Sequence, residues 1–200
     1  LLEALLQTDA CEVTRLHRVV DDLKGTIKVL DEALKADVLL ISGGVSVGDS
    51  DFVKPALKEL GVQEIFWRVK IKPGKPLFFG ELGETKVFGL PGNPVSAFVT
   101  FLLLVKPCLL WMLGSKKVRV RGFAVKTNFS SCSLSERQEY LRVRFQNDET
   151  GAPFIERCQN QSSGIGSSLA IADGLAVVPP RTEVSAGDLL EYISFSELLR

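Results

Sequence analysis

Histidine is scarce: His17 is the single one among 200 residues, and no Ser-His-Asp arrangement is evident around it. It lies in a stretch with no nearby nucleophile and reads as a structural or surface residue. The four cysteines, Cys11, Cys108, Cys132 and Cys158, stand far apart with no Cys-x-x-Cys pair, which excludes a zinc site built on paired thiolates. They read as reduced thiols of a cytoplasmic protein. Charge of either sign in excess is also missing. With 24 Lys+Arg against 24 Asp+Glu, no global field draws the chain to nucleic acid or to an anionic membrane, so local geometry must hold any anionic ligand. No basic, apolar and small-residue signal opens the chain, and a start at Leu1-Leu2-Glu3 without Met reads as a fragment. Only Val95 to Leu113 approaches the ~20 apolar residues that a bilayer requires. Lys106 and Pro107 interrupt it, and a buried helix, with no membrane role, is the expectation.

What is present suffices for a core: 46% of residues are hydrophobic and 24% charged, enough for one large or two small domains. Leu1 to Gln7 reads as a helix end and Glu12 to Val20 as a strand. Leu23, Ile27, Leu30 and Leu34 share one face of a helix over Leu23 to Lys35, and Val38 to Ile41 is a short buried strand. Asp51 to Leu60 repeats the helical pattern and stops at Gly61. Three strand-like runs follow, Glu64 to Ile71, Leu77 to Leu82 and Lys86 to Leu90, with no helix between them, so the sheet is expected to be mixed. A long helix runs from Pro94 to near Gly114. Beyond Lys116 come short strands at Val118 to Lys126, Tyr140 to Phe145, Phe154 to Arg157, Leu175 to Val178 and Leu189 to Ile193, with one helical turn at Ser167 to Ala172. The fold expected is thus a three-layer α/β domain over 1–114 followed by a small all-β, barrel-like domain over 118–200.

Two loops after strands carry the chemistry. Ser42-Gly43-Gly44-Val45-Ser46-Val47-Gly48-Asp49-Ser50-Asp51 lies at the C-terminal edge of a strand, where ligands of open α/β sheets bind. Its glycines admit close backbone approach, Ser42 and Ser46 add hydroxyl donors, and Asp49 and Asp51 suit a hard cation such as Mg²⁺ beside a bound anion. The spacing is not that of a dinucleotide fingerprint. The second loop, Leu90-Pro91-Gly92-Asn93-Pro94, ends in an N-cap and a first-turn proline, so a helix N-terminus with free N–H groups follows. Lys70, Lys72 and Lys75 gather around Pro73-Gly74, and Asp21-Asp22 follows a strand and could face the same edge. Each feature also has a plain structural reading: a tight turn, a helix start, a solvated hairpin end, a turn-initiating Asp pair.

Three ordered stretches decide among these. Ser42 to Lys54, Lys72-Pro73-Gly74-Lys75-Pro76 and Gly89-Leu90-Pro91-Gly92-Asn93-Pro94-Val95-Ser96-Ala97 resemble the molybdopterin molybdenumtransferases, the bacterial relatives of the C-terminal domain of gephyrin. The resemblance continues through Glu139-Tyr140-Leu141-Arg142, Asn160-Gln161-Ser162-Ser163 and Ala172-Asp173-Gly174-Leu175 into that family's C-terminal β-domain, and so covers nearly the whole chain. Only the family's N-terminal part, its first two domains plus the opening strand and acidic turn of its pterin-binding domain, has no counterpart.

The resemblance implies insertion of molybdenum from molybdate into adenylylated molybdopterin, with release of AMP and use of Mg²⁺. It implies Asp21, Asp51, Lys72 and Lys75 as catalytic positions and Asp21, Asp49 and Asp51 as metal ligands. Ser42, Gly43, Gly44, Ser46, Gly48, Pro91, Gly92, Asn93, Pro94, Arg142 and Ser163 are the implied pterin-binding set, with Ser162 beside them. Partners implied are a second copy of the chain, other proteins of molybdenum-cofactor biosynthesis and the pterin itself. Two other readings stay open: the smaller relative that adenylylates molybdopterin, and a non-catalytic pterin-binding scaffold.

Overall fold

The computed structural model describes residues 1–7, 11–14, 22–44, 52–118, 120–132 and 135–199. After α1 (Leu2–Leu6) and α2 (Leu23–Ala33) come β1 (Val38–Ser42), α3 (Val53–Glu59), β2 (Gln63–Trp67), β3 (Ile71–Lys72), β4 (Phe78–Leu82), β5 (Thr85–Leu90) and α4 (Pro94–Thr100). Four strands form a mixed sheet in the order β1-β5-β4-β2, with β1 parallel to β5 and the remaining pairs antiparallel. Strand alternation sorts the two faces. Leu39 and Ile41 pack against α2 and α3, whereas Val38 and Leu40 pack against the long helix that begins at Pro94. Three layers result, as the periodicities predict.

At the start of α2 the side chain of Asp22, in extended backbone, accepts the Gly25 N–H at 2.7 Å. Asp22 of the Asp pair is therefore a helix cap. Its replacement by Ala is expected to cost about 1 kcal/mol, read as a lower urea midpoint at unchanged slope.

The long helix is not uniform. Between α4 and α5 (Lys106–Met112) lies one π-helical segment, Phe101–Val105. Pro107 lacks the N–H that the Leu103 carbonyl would accept, and its ring crowds that carbonyl; the wider turn absorbs the mismatch. One side of this helix packs on the sheet through Phe88 and Leu90, the other on Leu175, Val177 and Ile193 from the second half of the chain. Over Pro94–Met112, long and apolar enough to cross a membrane, 61% of the span is buried inside the protein, as expected of a core helix.

The second half contains β6 (Phe123–Thr127), β7 (Ser131–Cys132), β8 (Gln138–Asn147), β9 (Pro153–Arg157), α6 (Ser167–Ala170), β10 (Gly174–Val178), β11 (Glu183–Val184), β12 (Leu189–Ser194) and α7 (Phe195–Leu198). Pairing runs β10-β12-β6-β9-β8, and β8 pairs back onto β10, so five strands close into a small barrel. Closure leaves this ring without a free edge.

Three elements differ from the sequence reading. The strand expected over Val118 to Lys126 begins only at Phe123, because its ladder with β12 ends at the Phe123–Tyr192 pair. The run Glu64 to Ile71 splits: β2 ends at Trp67, Arg68 takes φ +104°, and β3 leaves the sheet to pair in parallel with β8, Ile71 beside Gln138 and Lys72 beside Glu139. Of the strand expected over Glu12 to Val20, Glu12 to Thr14 carry no strand, and the rest, His17 included, lies outside the described residues.

Candidate functional site

The pairing of β3 with β8 brings the α/β domain and the barrel face to face, and a cleft of about 770 Å³ lies between them. Gly43, Gly44, Pro91, Gly92 and Asn93 form one wall, and the turn Lys72 to Pro76 forms the floor. Arg137, Glu139, Tyr140, Arg142 and Arg157 come from the barrel, followed by Gln161, Ser162 and Ser163.

The two loops singled out in the sequence meet here. Because β1 and β5 are parallel neighbours, both loops leave the same sheet edge; the Gly43 N–H donates to the Leu90 carbonyl at 3.0 Å. Gly43 and Gly44 sit at φ +82° and +68°, and a side chain built on Gly43 would meet open space. Glycine is needed there for the backbone angle, not to avoid a neighbour. Ser42 ends β1, and neither it nor Pro94 is part of the lining of the cleft. Ser46, Gly48, Asp49 and Asp51, like Asp21, lie outside the described residues, so the metal ligands expected from the sequence do too. Among the described residues no cluster of three His, Cys, Asp or Glu side chains could hold a metal.

The helix that starts at Pro94 differs from expectation in one respect. Asn93 occupies the N-cap position, but its side chain makes no cap bond; its amide donates to the Ser163 hydroxyl at 3.2 Å. The Val95 N–H donates to the Ser163 carbonyl at 3.1 Å. One of the helix's first N–H groups therefore serves the barrel loop rather than an anion. Ser163, named from the sequence as a pterin position, thereby clips the loop 158–163 onto the second glycine loop.

The floor is less cationic than the lysine count suggests. Lys72 lies 3.2 Å from a carboxylate oxygen of Glu139, its register neighbour, and Lys70 is not in the lining. Lys75 has no ion-pair partner among the described residues.

Arg142 is the most unusual group. It is fully buried, at 0% exposure, yet lines the cleft. One of its terminal nitrogens donates to the carbonyls of Asn160 at 3.1 Å and Ser162 at 3.2 Å, while Gln161 bonds both its backbone N–H and its carbonyl. Its Nε has no acceptor. No carboxylate pairs with it among the described residues, and burial drives its pKa down from the ordinary arginine value. The nearby Cys158 thiol is pushed up by its own burial, more than Arg142 draws it down, so it does not supply the missing negative charge. A buried guanidinium of this kind is costly without an anion.

Sequence reasoning missed Arg137, Glu139, Arg157, Gln161 and Ser96 as parts of this cleft. The available signal was the charged pattern of Arg137, just before β8, with Glu139 and Arg142 within a strand otherwise built for a barrel core.

Both parts of the fold match known families. Residues 1–111 match the family described as "Probable molybdopterin binding domain", and residues 125–195 match the "MoeA C-terminal region (domain IV)". A molybdopterin molybdenumtransferase of Haemophilus influenzae is 34% identical over 99% of this chain and 50% of its own length. A gephyrin of Dictyostelium discoideum is 35% identical over 81% of this chain and 25% of its own. The solved structure of a molybdenum cofactor biosynthesis protein from Pyrococcus furiosus superposes with a TM-score of 0.73 at 26% identity, covering 96% of this chain and 62% of that one. The chain thus spans half or less of the two relatives' length. With both of its halves matched in order, it belongs to the gephyrin-like family of molybdopterin molybdenumtransferases.

Proposed function

We propose that the cleft binds adenylylated molybdopterin and molybdate and promotes transfer of molybdenum to the pterin dithiolene with release of AMP. The observation that carries this reading is Arg142: a buried cation on the cleft wall, without a carboxylate partner among the described residues and with its Nε–H unbonded. Such a group favours an oxyanion over any neutral ligand, because the anion restores both the lost hydrogen bond and the lost charge balance. Gly43, Gly44 and Gly92 let the pterin approach the backbone, Lys75 adds positive charge, and the Ser163 hydroxyl stands between the two walls. The residues then position reactants and balance charge; none attacks as a nucleophile.

Mg²⁺, with Asp21, Asp49 and Asp51 as its ligands, belongs to the same proposal and would supply neutralisation of substrate phosphate. Glu139, the one carboxylate in the described lining, is engaged by Lys72 and is not offered for it. A homodimer and cytoplasmic location are likewise part of the proposal.

The test is to mix the chain with adenylylated molybdopterin, molybdate and Mg²⁺ and to follow both pterin retention on gel filtration and AMP release. Retained pterin with molybdate-dependent AMP release is the expected result. Failure to retain pterin would sink the proposal, whereas retention without AMP release would restrict this chain to binding.

A further inference from the structure

The loop that wraps Arg142 has little to pack. Between the buried Cys158 and Gly164 its sequence, Gln159-Asn160-Gln161-Ser162-Ser163, holds no apolar side chain, and Gln159, Asn160 and Ser162 are exposed. With nothing apolar to bury, its course is fixed by hydrogen bonds. Gln161, at its middle, supplies three of them.

β9 ends at Arg157, so the ladder between β8 and β9 stops at the Val143–Arg157 rung. The Cys158 N–H still reaches the Arg142 carbonyl at 3.0 Å, but the Arg142 N–H finds no further rung. There the Gln161 amide takes the place of a strand. Its Oε1 accepts the Arg142 N–H at 3.0 Å, and its Nε2 donates to the Arg142 carbonyl at 2.8 Å and to the Cys158 carbonyl at 2.9 Å. The amide oxygen and both amide N–H groups are thereby used. No other side chain offers that set at that length: Glu lacks the donors, Lys lacks the acceptor, and Asn is one methylene shorter.

The carbonyls on either side of Gln161 are the ones that hold the guanidinium, Asn160 at 3.1 Å and Ser162 at 3.2 Å. Gln161 therefore sets their places from the backbone of Arg142 itself. Asn160 tightens the circuit, its Oδ1 accepting the Ser162 N–H at 2.9 Å. Every group that bonds Arg142 here is neutral. The guanidinium is aimed without being neutralised, and its Nε–H stays unbonded.

We infer that Gln161 is a positioning residue for oxyanion binding: it fixes the direction of the Arg142 guanidinium on the cleft wall and, being uncharged, leaves that charge to the ligand. This rests on the reading of Arg142 as the molybdate anchor.

The experiment is equilibrium binding of molybdate to the whole chain and to variants, with the melting temperature of each. Gln161→Ala should lose about tenfold in affinity, the effect of misaligning one charge-assisted contact. Gln161→Glu, which puts a negative charge between the two carbonyls that hold the guanidinium, should lose more. Gln161→Asn should fall between the unaltered chain and Gln161→Ala, and it decides the matter if Gln161→Ala does not fold. The control is Asp148→Ala. It strips the bonds that Asp148 accepts from the Thr150 N–H at 2.8 Å, the Thr150 hydroxyl at 2.6 Å and the Ala152 N–H at 2.9 Å, in the hairpin at the other end of β8. It should lower the melting temperature and leave molybdate affinity unchanged. A second readout is the Arg142 Nε–H resonance, assigned by its absence from Arg142→Met. Molybdate should shift it in the unaltered chain, and Gln161→Ala should shift it before molybdate is added. Unchanged molybdate affinity in the folded Gln161 variants overturns the inference and leaves the proposed function standing. So does an unmoved resonance in Gln161→Ala, and so does an equal loss of affinity in Asp148→Ala. If the unaltered chain binds no molybdate, the anchor reading and this inference fall together.

Discussion

Replacing Arg142 by Met should abolish molybdate binding, with affinity falling at least about a hundredfold, while leaving the fold almost as stable as before. The two effects separate because Arg142 stands in an expensive state. Its guanidinium is fully buried, accepted by only two carbonyls, and balanced by no acid among the described residues. Met retains most of the volume but strands the Asn160 and Ser162 carbonyls, a penalty of about 1–3 kcal/mol each when buried. Removing an unpaired buried charge returns a similar amount. The net stability change is therefore expected to be within about 2 kcal/mol. No such compensation exists for the ligand, because an oxyanion that loses a desolvated charge partner loses about 2–5 kcal/mol. Saturating molybdate should raise the melting temperature of the unaltered chain, by linkage worth about 2.7 kcal/mol at a hundred times Kd. Arg142→Met should show no such rise. An equal rise in both proteins would place the oxyanion elsewhere.

How far the sequence discloses this site depends on the range of the interactions involved. Local signals are readable. The apolar spacing of Leu23, Ile27 and Leu30 marks α2, Gly61 stops α3 at φ +83°, and Asn93-Pro94 starts the long helix. Each reflects a propensity acting within a few residues. The π-helical turn before Pro107 follows from the same proline that marks an interruption in the sequence, but its form depends on packing between sheet and barrel. Two-residue strands are too short for any periodicity. Thus β7 and β11, which pair with each other, pass unseen, and so does β3, whose partner β8 begins 67 residues after it.

That last omission matters most, because β3 is what aligns the lysine turn with the barrel. From sequence alone Lys72 and Lys75 count as equal cations. The register Lys72 beside Glu139 makes them unequal, leaving Lys75 as the positive charge of the floor. Arg142 is reached in the sequence only through family resemblance, since a lone arginine in a strand carries no signal of its own. Its buried, half-satisfied state depends on the loop 158–163 wrapping around it, a long-range event.

The turn that carries Lys75 is held by one atom's worth of space, and Gly74→Ala should cost about 4 kcal/mol of stability. Gly74 sits at φ +114°, a region that side-chain-bearing residues rarely adopt, at a cost of about 1–3 kcal/mol. A Cβ there would also stand 2.5 Å from Thr100 Cγ2 and 3.2 Å from Ile71 Cδ1. Thr100 cannot yield easily. It is fully buried in the long helix, and its hydroxyl donates to the Ser96 carbonyl at 2.7 Å. Overpacking of this kind adds about 1–3 kcal/mol. The two contributions are separable by a double-mutant cycle, because Thr100→Ser deletes the clashing methyl and retains the hydroxyl. Thr100→Ser alone should cost about 1 kcal/mol, the value of one buried methyl group. In the double variant the steric part, about half of the Gly74→Ala penalty, should be recovered, while the backbone part persists. Urea denaturation of the four proteins measures both. Strict additivity of the two substitutions would show that the helix does not press on the turn. Coupling of about 1–2 kcal/mol would show that the long core helix, through Thr100, holds the turn that presents Lys75 to the cleft.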